Sequence, residues 1–221
     1  MDALAFDVYG TLVDPLAMAG PLREVAGERA AEVAAVWRQK QVEYAFRRGL
    51  MSAFQPFETC TAQALEFAAR SAGVALGTEA QAALLAAYRR LPAFDDAREG
   101  LERLRAAGRV AVAFSNGSPG PVRDVLGHAG LLELLADVVS VAEVRTFKPH
   151  PLVYLHLAER VGRAPRETWL VSSNAWDVLG AKAAGLRAAW VRRSPGAVMD
   201  PWGVEPDLSV ADVRELAARL G

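Results

Sequence analysis

Four short polar stretches of this chain carry residue types suited to nucleophilic chemistry. The first is Asp7-Val8-Tyr9-Gly10-Thr11, where a carboxylate ends the apolar run Leu4-Ala5-Phe6 and the chain then turns through glycine. A carboxylate kept away from water can attack an electrophilic carbon and form an ester. The competing reading of Asp7 is a helix-capping residue in a tight turn. The second stretch is Ser115-Asn116-Gly117-Ser118-Pro119. Its hydroxyls and backbone amides suit an anion, although the same residues are ordinary turn formers at a helix start. The third is Lys148-Pro149, a cation that is either buried beside a site or a solvated loop lysine. The fourth is Ser172-Ser173-Asn174-Ala175-Trp176-Asp177, whose Asp177 could equally serve a helix dipole. None is specific alone. Their occurrence in order, each at or just beyond the end of an expected strand, places Asp7, Ser115, Lys148 and Asp177 around one pocket, because open α/β sheets bind ligands at the carboxyl ends of their strands.

That placement demands a particular scaffold. Apolar runs at 110–114, 138–141, 168–172 and 188–191 alternate with helical patterns at 98–107, 119–129, 151–162, 175–184 and 210–220. Such alternation predicts a parallel sheet covered on both faces. Residues 15–92 read as wholly helical, with helices at 28–51, 56–72 and 78–91, the last opening on Thr78-Glu79-Ala80-Gln81 in a capping-box pattern. The expected fold is α/β: a Rossmann-like parallel-sheet core of residues 1–14 and 93–221, with a helical cap, residues 15–92, inserted after the first strand. In the cap, Lys40, Glu43 and Arg47 read as a charged helix face, whereas Arg38 and Val42, four apart, share another face.

Composition narrows the function classes. The chain has 221 residues, 52% hydrophobic and 23% charged, which suits one globular core with an insertion. A formal net charge of −1 gives no footprint for nucleic acid. No apolar run approaches the ~20 residues of a membrane span. Cys60 is the single cysteine, so no internal disulfide is expected; it reads as a small buried hydrophobe. Asp2 and the early polar motif leave no room for a signal peptide, so the expected location is cytoplasmic. His128, His150 and His156 lack zinc-like spacing, and Gly117, Gly120 and Gly127 do not form a dinucleotide fingerprint. No cofactor and no metal site is expected. Asp95, Asp96, Glu102, Arg103 and Arg105 read as a solvated face.

Over essentially the whole chain, the four stretches resemble the motifs of the haloacid dehalogenase superfamily. Phosphatases of that superfamily carry a second Asp two residues after the nucleophile, where this chain has Tyr9, and a further acid in the fourth motif, near Ser173 here. With Trp37-Arg38-Gln39-Lys40-Gln41-Val42-Glu43-Tyr44, the pattern is similar to the L-2-haloacid dehalogenases. The resemblance implies that Asp7 attacks C2 of a small 2-haloacid and that Arg38 receives the halide. It implies that Ser115 and loop amides hold the substrate carboxylate, with Asn116 near the halide. Lys148 would orient Asp7, with Thr11, Tyr154 and Ser172 as supporting donors, and Asp177 with Asn174 would direct the hydrolytic water. Tyr9, Gln39, Val42, Phe57 and Trp176 would line the pocket, and pairing as a homodimer is implied. A phosphohydrolase of the same fold, and a binding protein that has lost turnover, remain as alternatives.

Overall fold

A computed structural model describes residues 2–221. Six strands form one fully parallel sheet: β1 (Ala3–Phe6), β2 (Val110–Ser115), β3 (Val138–Ser140), β4 (Thr168–Ser172), β5 (Arg187–Val191) and β6 (Leu208–Val210), in the order β3-β2-β1-β4-β5-β6. Every residue of β1 is buried, as a central strand covered on both faces requires. Phe6 lies in register with Ala113 of β2 and Val171 of β4. The register brings Asp7, Ser115 and Ser172 to the same edge of the sheet. The order also reverses direction on either side of β1, where such sheets open a crevice.

Helices α1 (Ala19–Ala26), α2 (Ala30–Leu50), α3 (Phe57–Ser71) and α4 (Thr78–Tyr88) lie between β1 and α5 (Ala97–Ala106) and contribute no strand to the sheet. α2 and α3 pack through fully buried side chains; Trp37 of α2 donates its indole N–H to the Thr61 carbonyl of α3 at 2.8 Å. Cys60 is buried in the same seam. On the outer face Lys40 pairs with Glu43 at 2.8 Å, and Glu43 also pairs with Arg47. The remaining helices, α6 (Pro119–His128), α7 (Pro151–Arg160), α8 (Ala175–Ala183) and α9 (Val213–Leu220), cover the sheet. Among the described residues, no helix is long and apolar enough to cross a membrane.

Three expectations need correction. Val210 does not start the last helix but ends strand β6, an element absent from the expected pattern, and the helix begins only after Asp212, whose carboxylate caps it by accepting from Glu215 N at 2.8 Å. A three-residue strand is too short to show a period in sequence. Thr78 does not cap α4: Gly77 is the cap residue and its carbonyl takes Gln81 N at 2.9 Å, so the threonine is already inside the helix. Asp96 is not on a solvated face. It is buried, pairs with Arg193 and accepts Val213 N at 2.7 Å, because α5 and α9 pack side by side with their N-termini adjacent.

That α5–α9 contact depends on Gly100, where a Cβ would stand 2.6 Å from Val213 Cγ1 and 2.7 Å from the Val213 carbonyl oxygen. Alanine gains about 0.5–1 kcal/mol of helix propensity over glycine, but overpacking against backbone costs about 1–3 kcal/mol. Gly100→Ala is therefore expected to lower the melting temperature by several degrees in a thermal melt. An unchanged midpoint would show that the two helices separate freely.

Candidate active site

The turn after β1 sets Asp7 at the sheet edge. Thr11, Leu12 and Val13 all donate backbone N–H groups to the Val8 carbonyl, at 3.2, 2.9 and 3.0 Å, which closes the loop tightly. Gly10 takes φ +95° within it, a conformation that favours glycine. Asp7 is 5% exposed and its two oxygens have different surroundings. Oδ1 accepts from Lys148 Nζ at 3.1 Å. Oδ2 accepts from Thr11 Oγ1 at 2.9 Å and Asn174 Nδ2 at 2.8 Å, with Ser172 Oγ at 3.5 Å.

Lys148 is the hub. Its ammonium donates to Asp7, to Asp177 Oδ2 at 2.9 Å and to the Phe114 carbonyl at 2.9 Å, and it stands 4.1 Å from the centroid of the Phe114 ring. Asp177 is fully buried; its other oxygen accepts from Tyr154 Oη at 2.7 Å. Burial pushes the Asp177 carboxyl above its ordinary 3.8, the charge of Asp7 adds to that, and the Lys148 ammonium opposes it. Burial likewise raises the Tyr154 and Tyr9 phenols well above their ordinary range, so both remain neutral. Tyr154 therefore serves Asp177 and not Asp7, and Asp177 reaches Asp7 only through the lysine.

The inserted helices supply a cation. Arg38 of α2 donates from Nη2 to the Tyr9 carbonyl at 2.7 Å, an oxygen that Asn174 Nδ2 also approaches at 3.5 Å. Arg38 is thus placed beside the amide that touches Asp7. Tyr9 lies under the insertion, its ring 5.9 Å from Phe57 and 5.6 Å from Tyr88. These rings border a cavity of about 100 Å³. In the loop after β2, Ser115 Oγ accepts from Gly117 N at 3.1 Å, and Asn116 Oδ1 accepts from Lys148 N at 3.0 Å. Trp176 meets Phe46 of α2 edge-on at 4.9 Å. Val42 is half-buried and Gln39 exposed, on the strip of α2 that leads to Phe46; neither hydrogen-bonds to the Asp7 cluster.

Several participants were not among the expected site residues. Ser173 closes the fourth stretch onto the first: its N–H donates to Thr11 Oγ1 at 2.9 Å and its hydroxyl to the Gly10 carbonyl at 2.6 Å. Gln41 is fully buried between Arg38, Thr61 and Tyr88. Glu58 of α3 accepts from both the N–H and the hydroxyl of Ser118, at 3.0 and 2.7 Å, joining the insertion to the loop after β2. Among the described residues, no group of three or more His, Cys, Asp or Glu side chains is arranged to hold a metal ion.

Known proteins resemble this chain in sequence and fold. A haloacid dehalogenase-like hydrolase family model matches residues 1–185. A (S)-2-haloacid dehalogenase of Pseudomonas sp. (strain YL) is 36% identical over 96% of this chain and 90% of its own. Haloacetate dehalogenase H-2 of Moraxella sp. (strain B) is 35% identical, covering 95% of this chain and 93% of its own. The solved structure of L-2-haloacid dehalogenase from Xanthobacter autotrophicus with chloropropionic acid covalently bound superposes with a TM-score of 0.91 at 31% identity, over 99% of this chain and 97% of that one. With the family's model spanning most of its length and these relatives matching it nearly end to end, the chain belongs to the haloacid dehalogenase-like hydrolases.

Proposed function

We propose that this protein hydrolyses L-2-haloalkanoic acids to D-2-hydroxy acids through an ester on Asp7. The observation that carries the reading is the unequal holding of the Asp7 carboxylate. Oδ2 is fixed by the Thr11 and Asn174 donors, with Ser172 near, while Oδ1 has only the lysine. The less encumbered Oδ1 attacks C2 in line. The C–halogen bond breaks with its electron pair, the new C–O bond forms on the opposite side, and the configuration inverts. A halide leaves as a stable anion and needs no proton, which suits a site whose residue two places beyond the nucleophile is a firmly protonated phenol. Arg38 receives the anion, helped by Asn116, and Ser115 with the neighbouring amides holds the substrate carboxylate.

In the second half water attacks the Asp7 carbonyl carbon. Negative charge gathers on Oδ2, where the Thr11, Ser172 and Asn174 donors already stand. The ester then cleaves on its acyl side, so the product hydroxyl oxygen comes from Asp7 and the water oxygen stays on the enzyme. Asn174 positions the water, and Asp177 takes up one of its protons and returns it to the departing oxygen to complete the product hydroxyl, while the second proton leaves to solvent as the Asp7 carboxylate reforms. Tyr9, Gln39, Val42, Phe57 and Trp176 line the pocket and limit its solvation. The dehalogenase names of the relatives support this substrate class. The same reading takes the protein to be a cytoplasmic homodimer, for which Leu50 and Met51 at the α2 end and Leu152 and Leu155 of α7 are exposed apolar side chains.

Incubated with L-2-chloropropionate, the protein is expected to release chloride and D-lactate equally with and without a chelator. Metal-dependent phosphate release from p-nitrophenyl phosphate, with no halide released, would sink the proposal. Asp7→Asn is expected to abolish halide release with the melting curve retained; surviving activity would remove Asp7 from the nucleophile role. Because Asp177 is held above 3.8, the folded state binds its proton more tightly than the unfolded chain. Its neutral form then contributes stability at acid pH, lost as pH rises through the raised value. D-lactate formation should accordingly fall on acidification at a pH above 3.8. An acid limb at or below that value would show that the Lys148 attraction outweighs burial.

A further inference from the structure

A hydrogen-bonded group of buried polar residues inside the insertion reaches the reaction centre through Arg38. Gln41, one turn along α2, accepts at Oε1 from Arg38 Nη1 at 2.9 Å and from Tyr88 Oη at 3.0 Å. Its Nε2 donates to Thr61 Oγ1 at 2.7 Å. The amide is not free to turn over. Thr61 donates its single hydroxyl proton to the Phe57 carbonyl at 2.9 Å, so toward Gln41 it can only accept. A reversed amide would set oxygen against that protonless lone pair and an NH₂ against the guanidinium. The chain of donors therefore runs one way, from Arg38 and Tyr88 through Gln41 and Thr61 to the Phe57 carbonyl. At its start the guanidinium is held on a second nitrogen, Nη2, by the Tyr9 carbonyl at 2.7 Å. Two fixed bonds on two nitrogens of a planar fork define the orientation of the whole group.

We propose that Gln41 is a positioning residue for halide departure: it sets the plane of the Arg38 guanidinium so that the remaining N–H groups face the leaving atom. The inference rests on the dehalogenase reading of Asp7 and Arg38. Donors aimed in advance at the place where charge develops need no reorganisation as the bond breaks. A poor leaving group, which departs through a later transition state and leaves as a smaller ion that takes stronger hydrogen bonds, depends on that aim more than a good one. A residue that only packs the insertion would affect all substrates alike.

The test is the rate of first-turnover halide release from L-2-chloropropionate and L-2-bromopropionate, with Gln41→Leu and Gln41→Glu placed in the native and Arg38→Ala backgrounds. Both variants are expected to slow chloride release by about ten- to a hundredfold. They should slow bromide release distinctly less, leave KM unchanged, and cause no further loss once Arg38→Ala is present. Gln41→Glu keeps the size of the side chain and decides the matter if Gln41→Leu fails to fold. Equal losses for the two halides, or losses that add to that of Arg38→Ala, would overturn the proposal in favour of a packing role. Full activity in Arg38→Ala alone would overturn the role of Arg38 itself, and this inference with it, a result visible without altering Gln41.

Discussion

The centre of this protein depends on one buried ammonium group. Lys148 Nζ has three N–H donors and three acceptors, on Asp7, Asp177 and the Phe114 carbonyl, and its side chain is fully shielded from solvent. Two carboxylates buried this close repel each other and each avoids a low-dielectric interior. The lysine between them makes the pair tolerable and keeps Asp7 fixed. Removing one member of a buried ion pair costs about 3–5 kcal/mol, because the others are left charged and unpaired. The third donor, spent on the end of β2, ties the ion cluster to the sheet itself.

Around that cluster the two halves of the molecule contribute opposite things. The sheet edge provides rigid donors to one oxygen of Asp7, Thr11 from the turn after β1 and Ser172 and Asn174 from the end of β4 and the loop behind it. The insertion provides a cation, the aromatic surfaces of Phe57 and Tyr88 against Tyr9, and a carboxylate, Glu58, that binds the Ser118 turn. The two halves meet at the Tyr9 carbonyl, approached by Asn174 from the core and Arg38 from the insertion. On the proposed reading, Asp7 is the nucleophile held by the sheet edge and Arg38 the anion acceptor held by the insertion.

Tyr9 and Ser173 stand where the resemblance implies acids in phosphatases of the superfamily. The phenol keeps its proton because it is buried. Ser173, near the place of a second acid, is spent on the Thr11 hydroxyl and the Gly10 carbonyl. What would have been charge in the site has become scaffolding for the turn that presents Asp7.

The order of apolar strands and helices, and polar residues at strand ends, were readable from the sequence because both have local signals: a run of buried residues, then a break. Asp7, Thr11, Lys148, Ser172, Asn174 and Asp177 come together because a parallel register leaves their strand ends on one edge. The third dimension decided what had no local signal. Asp96 reads as surface until α5 and α9 pack and bury it. Tyr154 was expected as a supporting donor, and only packing showed that the carboxylate it supports is Asp177. Gln41 sits in a helix segment full of charges and shows its role only once α3 and α4 bring Thr61 and Tyr88 to it. The sequence by itself determined the polar residue types that stand at the ends of β1, β2 and β4; the tertiary structure decided the partners of Gln41, Asp96 and Lys148, because Thr61, Tyr88, Val213 and Asp177 lie tens of residues away and are chosen by packing.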